Sequence, residues 1–420
     1  MEYIKRRTTA VPEATRNITP RVTEIVEAVR RSGVKAVRQF SRTFDGYTGD
    51  LRVSREAIAS AEAALPPRVR EALAQAAMNV STFHSFQRSM LREEVVEVMK
   101  GVFAGIRFEP VSSAAIYVPG GRYPLPSTAI MGVVAAREAG VGRIIAMTPP
   151  SGPDGPHEIV LGALSMLDVK EVWSIGGAQA IAACAFGIEG MERVDVIAGP
   201  GNAYVTEAKR LLFGAVGIDG LAGPSEVTVV ADGTARADLV AADLIAQSEH
   251  DSQARATLLC LDRELALSVL AEVESLLGKL PDPGTARESW TCNGTVTFCS
   301  MEEAAAYANS ESPEHLVLAV KAPGKALPLF RSFGSAFLGP FTAQAFGDYV
   351  AGTNHILPTG GTARFAGGLW TGTFLRPQTF LETDIGGARR LAELGTPISG
   401  AEGLPGHTLA MELRIGVDRS

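Results

Sequence analysis

From residue 113 onward the chain repeats one pattern: a short apolar run, a glycine or proline, then a helix-like segment. The runs are "AAIYVPGG", "RIIAMTPP", "EVWSIGG", "VDVIAGPG" and "SEVTVVAD", and the first four lead into segments such as "STAIMGVVAAREAG" and "AQAIAACAFG". Strands that read as continuous apolar runs are buried on both faces, and helices returning between them make the strands parallel. An α/β fold with covered parallel sheets is therefore expected. A second, looser series has strands at "ATLLCLD", "GTVTFC", "HLVLAV" and "SAFLG", with helices expected near 235–250, 263–278, 301–309 and 323–333. Residues 20–100 read as helical with a break at "LPPR", "TARFAGGLWTGTFLRP" after residue 360 reads as irregular, and a last helical section begins near 385. No tandem repeat of about 20–50 residues is visible.

A chain of 420 residues is too long for one simple core and corresponds to about two to four domains. Its net charge of -7 offers no basic face to nucleic acid. No apolar run approaches the roughly 20 residues that cross a bilayer, and the opening "MEYIKRRTTAVPEATR" lacks a signal-peptide core, so the expectation is a cytoplasmic protein without a membrane partner. Cys184, Cys260, Cys292 and Cys299 lack C-x-x-C spacing, which favours buried reduced thiols over disulfides or a zinc knuckle.

The stretch "GDYVAGTNHILP" is too rich in glycine for a helix or strand, yet it carries Asp348 and His355. Such loops present functional groups from a scaffold, although a solvated histidine and a capping aspartate fit the same letters. In "DLIAQSEHDSQA" a helix would set Gln247 and His250 three apart on one face, where an amide oxygen and an imidazole can share a cation or form a polar surface. "NSESPEHLVLAV" places Glu314 beside His315 at a strand end, a candidate proton-transfer pair or a helix-start acid with a half-exposed histidine. "AEGLPGHTLAMELR" again pairs an acid with a histidine, Glu402 with His407. His250, His407, Asp348 and Gln247 together would form a mixed nitrogen and oxygen site suited to zinc or another divalent ion. No G-x-G-x-x-G follows a strand, but "YVPGGR", "IGGAQA" and "GPGNAYVTEAKR" are glycine turns opening helices, either anion sites or plain βα turns.

In order along the chain, "FDG", "YVPGG", "GGAQAIAA", "GPGNAYVTEAKR", "AGPSEV", "QSEHDSQ", "PEHL", "GDYVAGTNHILPT" and "EGLPGH" closely resemble the histidinol dehydrogenase family. The resemblance implies a zinc-dependent homodimer that oxidises L-histidinol through an aldehyde to L-histidine, using two NAD and one water. It implies two incomplete Rossmann-like doubly wound domains with small helical N- and C-terminal extensions that mediate dimerisation. The expected parts are an arm at 1–20, a discontinuous metal and catalytic domain at 21–116 and 226–370, an NAD-binding domain at 117–225, and a tail at 371–420 that completes the partner's site. Carried over by motif, one zinc per subunit falls to Gln247, His250, Asp348 and His407, and proton transfer to Glu314 and His315. Substrate contacts fall to Ser225, His355 and Glu402 beside His315 and the four zinc ligands, and NAD contacts to Tyr117, Gln179 and Asn202.

"ARFAGGLWTGTFLRPQTF" looks more like relatives of the family that act on other primary alcohols, such as 2,3-dihydroxypropane-1-sulfonate, and Arg122 could meet an anionic substrate group. His355 and Glu402 favour histidinol, since a carboxylate balances an ammonium whereas a sulfonate prefers arginine or lysine. A non-catalytic zinc-binding or nucleotide-binding protein is the remaining alternative, and the intact Glu314 and His315 oppose it.

Overall fold

The computed structural model describes residues 1–8, 18–120 and 123–415. Strand β1 (Glu2–Lys5) precedes helices α1 (Thr19–Ser32), α2 (Val34–Asp45), α3 (Arg55–Ala64) and α4 (Pro67–Ser89), followed by strands β2 (Glu94–Met99) and β3 (Val102–Pro110). Next come β4 (Ser113–Tyr117), α5 (Pro126–Ala139), β5 (Arg143–Thr148), α6 (Glu158–Met166), β6 (Glu171–Ser174), α7 (Gly177–Phe186), β7 (Val196–Ala198), α8 (Ala203–Leu212) and β8 (Gly217–Ile218). The second series runs β9 (Glu226–Ala231), α9 (Ala237–Ser248), β10 (Arg255–Cys260), α10 (Arg263–Leu277), α11 (Gly284–Asn293), β11 (Thr295–Phe298), α12 (Met301–Glu311) and β12 (His315–Ala319). It closes with α13 (Pro323–Ala326), β13 (Ser335–Leu338) and α14 (Gln344–Tyr349); the chain ends in β14 (Leu375–Thr383), α15 (Ile385–Ala401) and α16 (Pro405–Ile415).

The chain divides into two compact units, residues 1–85 with 111–374 and residues 86–110 with 375–420. The larger unit contains both parallel sheets. The five-stranded sheet has the order β6-β5-β4-β7-β8, and the six-stranded sheet the order β1-β11-β10-β9-β12-β13, with only β1 antiparallel. Numbered within its own series, each runs 3-2-1-4-5, the doubly wound order whose direction reverses beside its first strand. Two Rossmann-like sheets are thus present, as expected.

Burial explains the layers. In β9, Val227 and Val229 face a cluster with Leu244 of α9, Val269 and Val273 of α10 and Trp290 of α11, while Val230 faces Ala304 and Ala308 of α12 with Phe330. Around the other sheet, Ile145, Met147 and Ile197 meet Ile181 of α7 and Val22, Ile25 and Val29 of α1. Each fully buried side chain of this size contributes roughly 1.5–3 kcal/mol. The segment expected as a helix at 323–333 forms only α13 and a single 3-10 turn at Leu327–Leu329, because Pro328 has no N–H to continue the ladder.

The smaller unit corrects two expectations. Residues 94–99, read as helical, form β2, and β14 arises in sequence read as irregular; with β3 they make an antiparallel sheet β14-β3-β2. Gly105 accommodates Phe380 across this sheet, since a Cβ there would lie 2.1 Å from the ring. Valines 95, 96 and 98 of β2 are exposed, as are Leu394 and Ile398 of α15 and Leu409 and Leu413 of α16. No described helix is long and apolar enough to cross a membrane. All four cysteines are free thiols, with Cys292 half-buried rather than buried.

Candidate active site

Glu314 and His315 enter the six-stranded sheet at the amino ends of its strands. Helix α12 stops at Ser312, whose φ of 51° is left-handed, and Pro313 prevents its continuation. Gly334 then lies so close that a Cβ there would stand 2.5 Å from the Glu314 carbonyl, which accepts the Ser335 N–H at 2.9 Å. In the register His315 faces Val227, which brings Glu226 alongside Glu314. The Glu226 main chain holds both proton-transfer groups: its N–H donates to Glu314 Oε2 at 2.9 Å, and its carbonyl accepts from His315 Nδ1 at 3.3 Å.

A carbonyl can only accept, so Nδ1 carries a hydrogen, and in the neutral ring the lone pair lies on Nε2. His315 Nε2 has no hydrogen-bond partner and stands 3.6 Å from Asp348 Oδ1, while Nδ1 is 3.6 Å from Glu314 Oε2. Burial works against the imidazolium, but the Glu314 and Asp348 carboxylates outweigh it and raise the His315 pKa. Burial pushes the Glu314 carboxyl up to about 7 against the pull of His315, and it raises Glu226 as well. A buried carboxyl and a buried imidazole 3.6 Å apart, both with raised pKa, form a coupled pair suited to exchanging protons.

Asp348 does not lie in irregular loop as expected; it occupies the last turn of α14, where Gly347 packs on the Phe337 ring. Gln344, one turn earlier and buried, donates through Nε2 to Asp348 Oδ2 at 3.2 Å. Burial opposes ionisation of Asp348, yet the neighbouring imidazoles of His315, His355 and His250 hold its carboxyl below the usual range. The chain then turns at Gly352, whose φ of +99° disfavours a side chain and where a Cβ would stand 2.8 Å from the Asn79 carbonyl oxygen. Asn354 pins the turn, donating to His84 Nε2 at 3.1 Å and to the Met131 carbonyl at 3.0 Å. His355 Nδ1 donates to the Asp348 carbonyl at 2.7 Å, so its Nε2 accepts the Thr128 hydroxyl at 3.3 Å. Burial lowers its pKa, leaving a neutral ring.

Gln247 is fully buried on α9, and neither its Oε1 nor its Nε2 has a hydrogen-bond partner. His250 does not share that helix face as expected: α9 ends at Ser248, Glu249 caps it, and His250 follows as an exposed residue. It remains close enough to act on the charges of Asp348 and His355. Among the described residues no three His, Cys, Asp or Glu side chains gather as a metal site by themselves. Gln247 brings an unpaired buried amide, His250 an imidazole and Asp348 a carboxylate, donor types compatible with a borderline ion such as zinc. Ser225 is half-buried just before β9, and its carbonyl accepts the Arg255 N–H at 3.0 Å. Glu402, capping α15, and His407, in α16, are exposed on the smaller unit.

The other sheet presents its carboxyl ends. Tyr117 closes β4 and the Gly199–Asn202 turn follows β7, so the two flank the reversal point where doubly wound sheets bind ligands. The Tyr117 hydroxyl accepts the Gly177 N–H at 3.1 Å, and burial pushes its pKa up to about 12. Gln179 is buried in the first turn of α7. Asn202 caps α8, its Oδ1 accepting the N–H groups of Tyr204 and Val205 and its Nδ2 remaining available. The "YVPGGR" turn opens no helix directly, since α5 begins only at Pro126; Gly121 and Arg122 lie outside the described residues. Glu226, Thr128 and Gln344 were not singled out from sequence; only Glu226, an acid opening an apolar strand, carries a legible signal there.

Two doubly wound sheets, one with a glycine turn at its reversal point and one with a buried imidazole–carboxyl pair, define an α/β protein, and its relatives make it an oxidoreductase. The family model described as histidinol dehydrogenase matches residues 8–415, and the chain belongs to that family, whose members are NAD-dependent. It is 42% identical to the histidinol dehydrogenase of Gluconobacter oxydans over 95% of this chain and 93% of that one. The Bacillus anthracis histidinol dehydrogenase is 41% identical, with 94% and 92% covered. The crystal structure of the Elizabethkingia anophelis enzyme superposes with a TM-score of 0.93 at 34% identity, covering 99% of this chain and 95% of that one. A succinate-semialdehyde dehydrogenase from Burkholderia pseudomallei, at 12% identity and a TM-score of 0.52, shares the fold alone.

Proposed function

We propose that this chain oxidises L-histidinol to L-histidine by way of L-histidinal, consuming two NAD and one water, as a cytoplasmic homodimer of histidine biosynthesis. The observation that carries the reading is the Glu314–His315–Asp348 cluster, intact within a family match over residues 8–415. When bound, zinc would supply a fixed point for the substrate's nitrogens, and NAD would accept the hydrides. Gln247, His250 and Asp348 would hold that metal, with His407 contributed by the partner subunit. In its neutral form His315, whose Nε2 has no hydrogen-bond partner, takes the alcohol proton at that atom. Glu314, whose carboxyl burial pushes up to about 7, then in its ionised form takes a proton from the water that adds to the aldehyde. His355 Nε2 would accept a substrate N–H in place of the Thr128 hydroxyl it accepts in the free protein, and Glu402 would balance the substrate's positive charge.

The exposed apolar residues of β2, α15 and α16 support the homodimer, since such patches favour burial against a partner. The tail domain at 371–420 is proposed to complete the neighbour's site, and the segment 117–225, through Tyr117, Gln179 and Asn202, to bind NAD. Three carboxylates around the site, Glu226, Glu314 and Asp348, disfavour a sulfonate substrate.

The test is the NADH formed per limiting L-histidinol, with zinc present, stripped and restored, and 2,3-dihydroxypropane-1-sulfonate in parallel. About two NADH per histidinol, lost on stripping, is expected; no turnover of histidinol by zinc-loaded protein refutes the substrate.

A further inference from the structure

Beneath the turn after β7 lies a buried ion pair that no step above uses. The side chains of Lys209 and Asp219 are 3% and 4% exposed. Lys209 Nζ donates to the Gly199 carbonyl at 2.9 Å and to Asp219 Oδ1, while Asp219 Oδ2 accepts the Gly199 N–H at 2.7 Å. A single ion pair therefore holds both main-chain polar groups of one glycine. That glycine has a φ of +120°, and a Cβ on it would lie 2.1 Å from the Tyr117 carbonyl oxygen. Asp219 Oδ1 also accepts the Gly220 N–H at 2.8 Å, tying the chain beyond β8 to the same point.

Burying two charges is costly, and apolar side chains of similar volume often hold a fold equally well. What an apolar pair cannot do is grip an N–H and a carbonyl together. We infer that Lys209 and Asp219 are positioning residues for the dinucleotide, holding the Gly199–Asn202 turn against Tyr117 in its binding shape. The inference rests on the reading that NAD binds at this turn. A loop already ordered pays no ordering cost when the ligand arrives, so the effect belongs to NAD affinity and not to proton transfer at the other sheet.

The test compares Lys209→Met/Asp219→Leu with Asn202→Ser in the full zinc-loaded enzyme. Serine replaces the carboxamide by a hydroxyl that can still cap α8 but no longer carries the Nδ2 amide. The double variant leaves the Gly199 N–H and carbonyl and the Gly220 N–H without these partners, so it is expected to melt below the parent while remaining folded, and to raise the KM for NAD roughly tenfold, with kcat at saturating NAD and the KM for histidinol changed less than about twofold. A raised NAD KM in Asn202→Ser with none in the double variant overturns the positioning role and leaves NAD at this turn. An unchanged NAD KM in both overturns the location, and the inference with it. Should the double variant fail to fold, Asp219→Asn, which keeps an oxygen for Gly199 but removes the charge, must raise the NAD KM; an unchanged value refutes the role.

Discussion

Replacing Glu314 by glutamine is expected to stabilise the protein while slowing only the second of its two oxidations. Burial pushes this carboxyl from an ordinary 4.5 to about 7, so the folded chain binds the proton more tightly than the unfolded one. Below about pH 4.5 both states are protonated and the site costs nothing. As the pH rises towards 7 the unfolded chain releases its proton and the folded chain does not, so stability falls across that window and levels off above it. At about 1.4 kcal/mol per unit, the accumulated loss is roughly 3 kcal/mol. Glutamine cannot ionise, and its oxygen can still accept the Glu226 N–H. The stability gap between Glu314→Gln and parent should therefore be near zero at pH 4.5 and grow to roughly 3 kcal/mol at pH 8. Urea unfolding at fixed protein and zinc concentration measures it, fixed because both bind only the folded state. Oxidation of aldehyde to acid should fall by about 10²–10⁴ while alcohol oxidation persists. A gap that does not vary with pH would show that the Glu314 carboxyl is not raised, and the assignment of water activation to it would fail.

His315→Ala should retain zinc and NAD binding and lose about 10²–10⁴ in kcat; full turnover in single-turnover assays would remove His315 from proton transfer. Gly352→Ala must move a backbone at φ +99° away from the Asn79 carbonyl, a cost of about 1–3 kcal/mol visible in the melting temperature, with a raised KM for histidinol as His355 shifts. Gln344→Ala releases Asp348 Oδ2, and zinc affinity measured against a competing chelator should drop about 10–100-fold; an unchanged affinity would make Gln344 a packing residue only. Mixed dimers of His407→Ala and His315→Ala should regain activity after subunit exchange, and no recovery despite verified exchange would refute shared sites.

The parallel strands were readable because burial on both faces leaves continuous apolar runs, and β10 to β13 fall within a residue or two of their expected positions. The hairpin "EVVEVMKGVFAGIRF" was not, because Val95, Val96 and Val98 follow a long helix and are exposed, so no core pattern marks the first strand. Strand β14 pairs with β3 across more than 260 residues, a partnership that local letters do not encode. Nor is the shared 3-2-1-4-5 order of the two sheets visible, since it repeats a path of the chain rather than its residues. Within the site, Glu314, His315, Asp348 and His355 stand out as ionisable groups in turn-rich segments. Thr128 and Gln344 look like ordinary helix residues until packing brings them to His355 and Asp348.

The peptide group of Glu226 that fastens Glu314 and His315 belongs to the backbone, so ordinary point mutation of that residue leaves the fastening in place. Mutational drift therefore meets two unequal halves of the site. The proton-handling half is buffered, while the side chains of Thr128, Asn354 and His355 can be exchanged one at a time. A lineage built on this scaffold can change the alcohol it accepts without reinventing how the alcohol is deprotonated, and directed evolution of a new substrate range should start from those three positions.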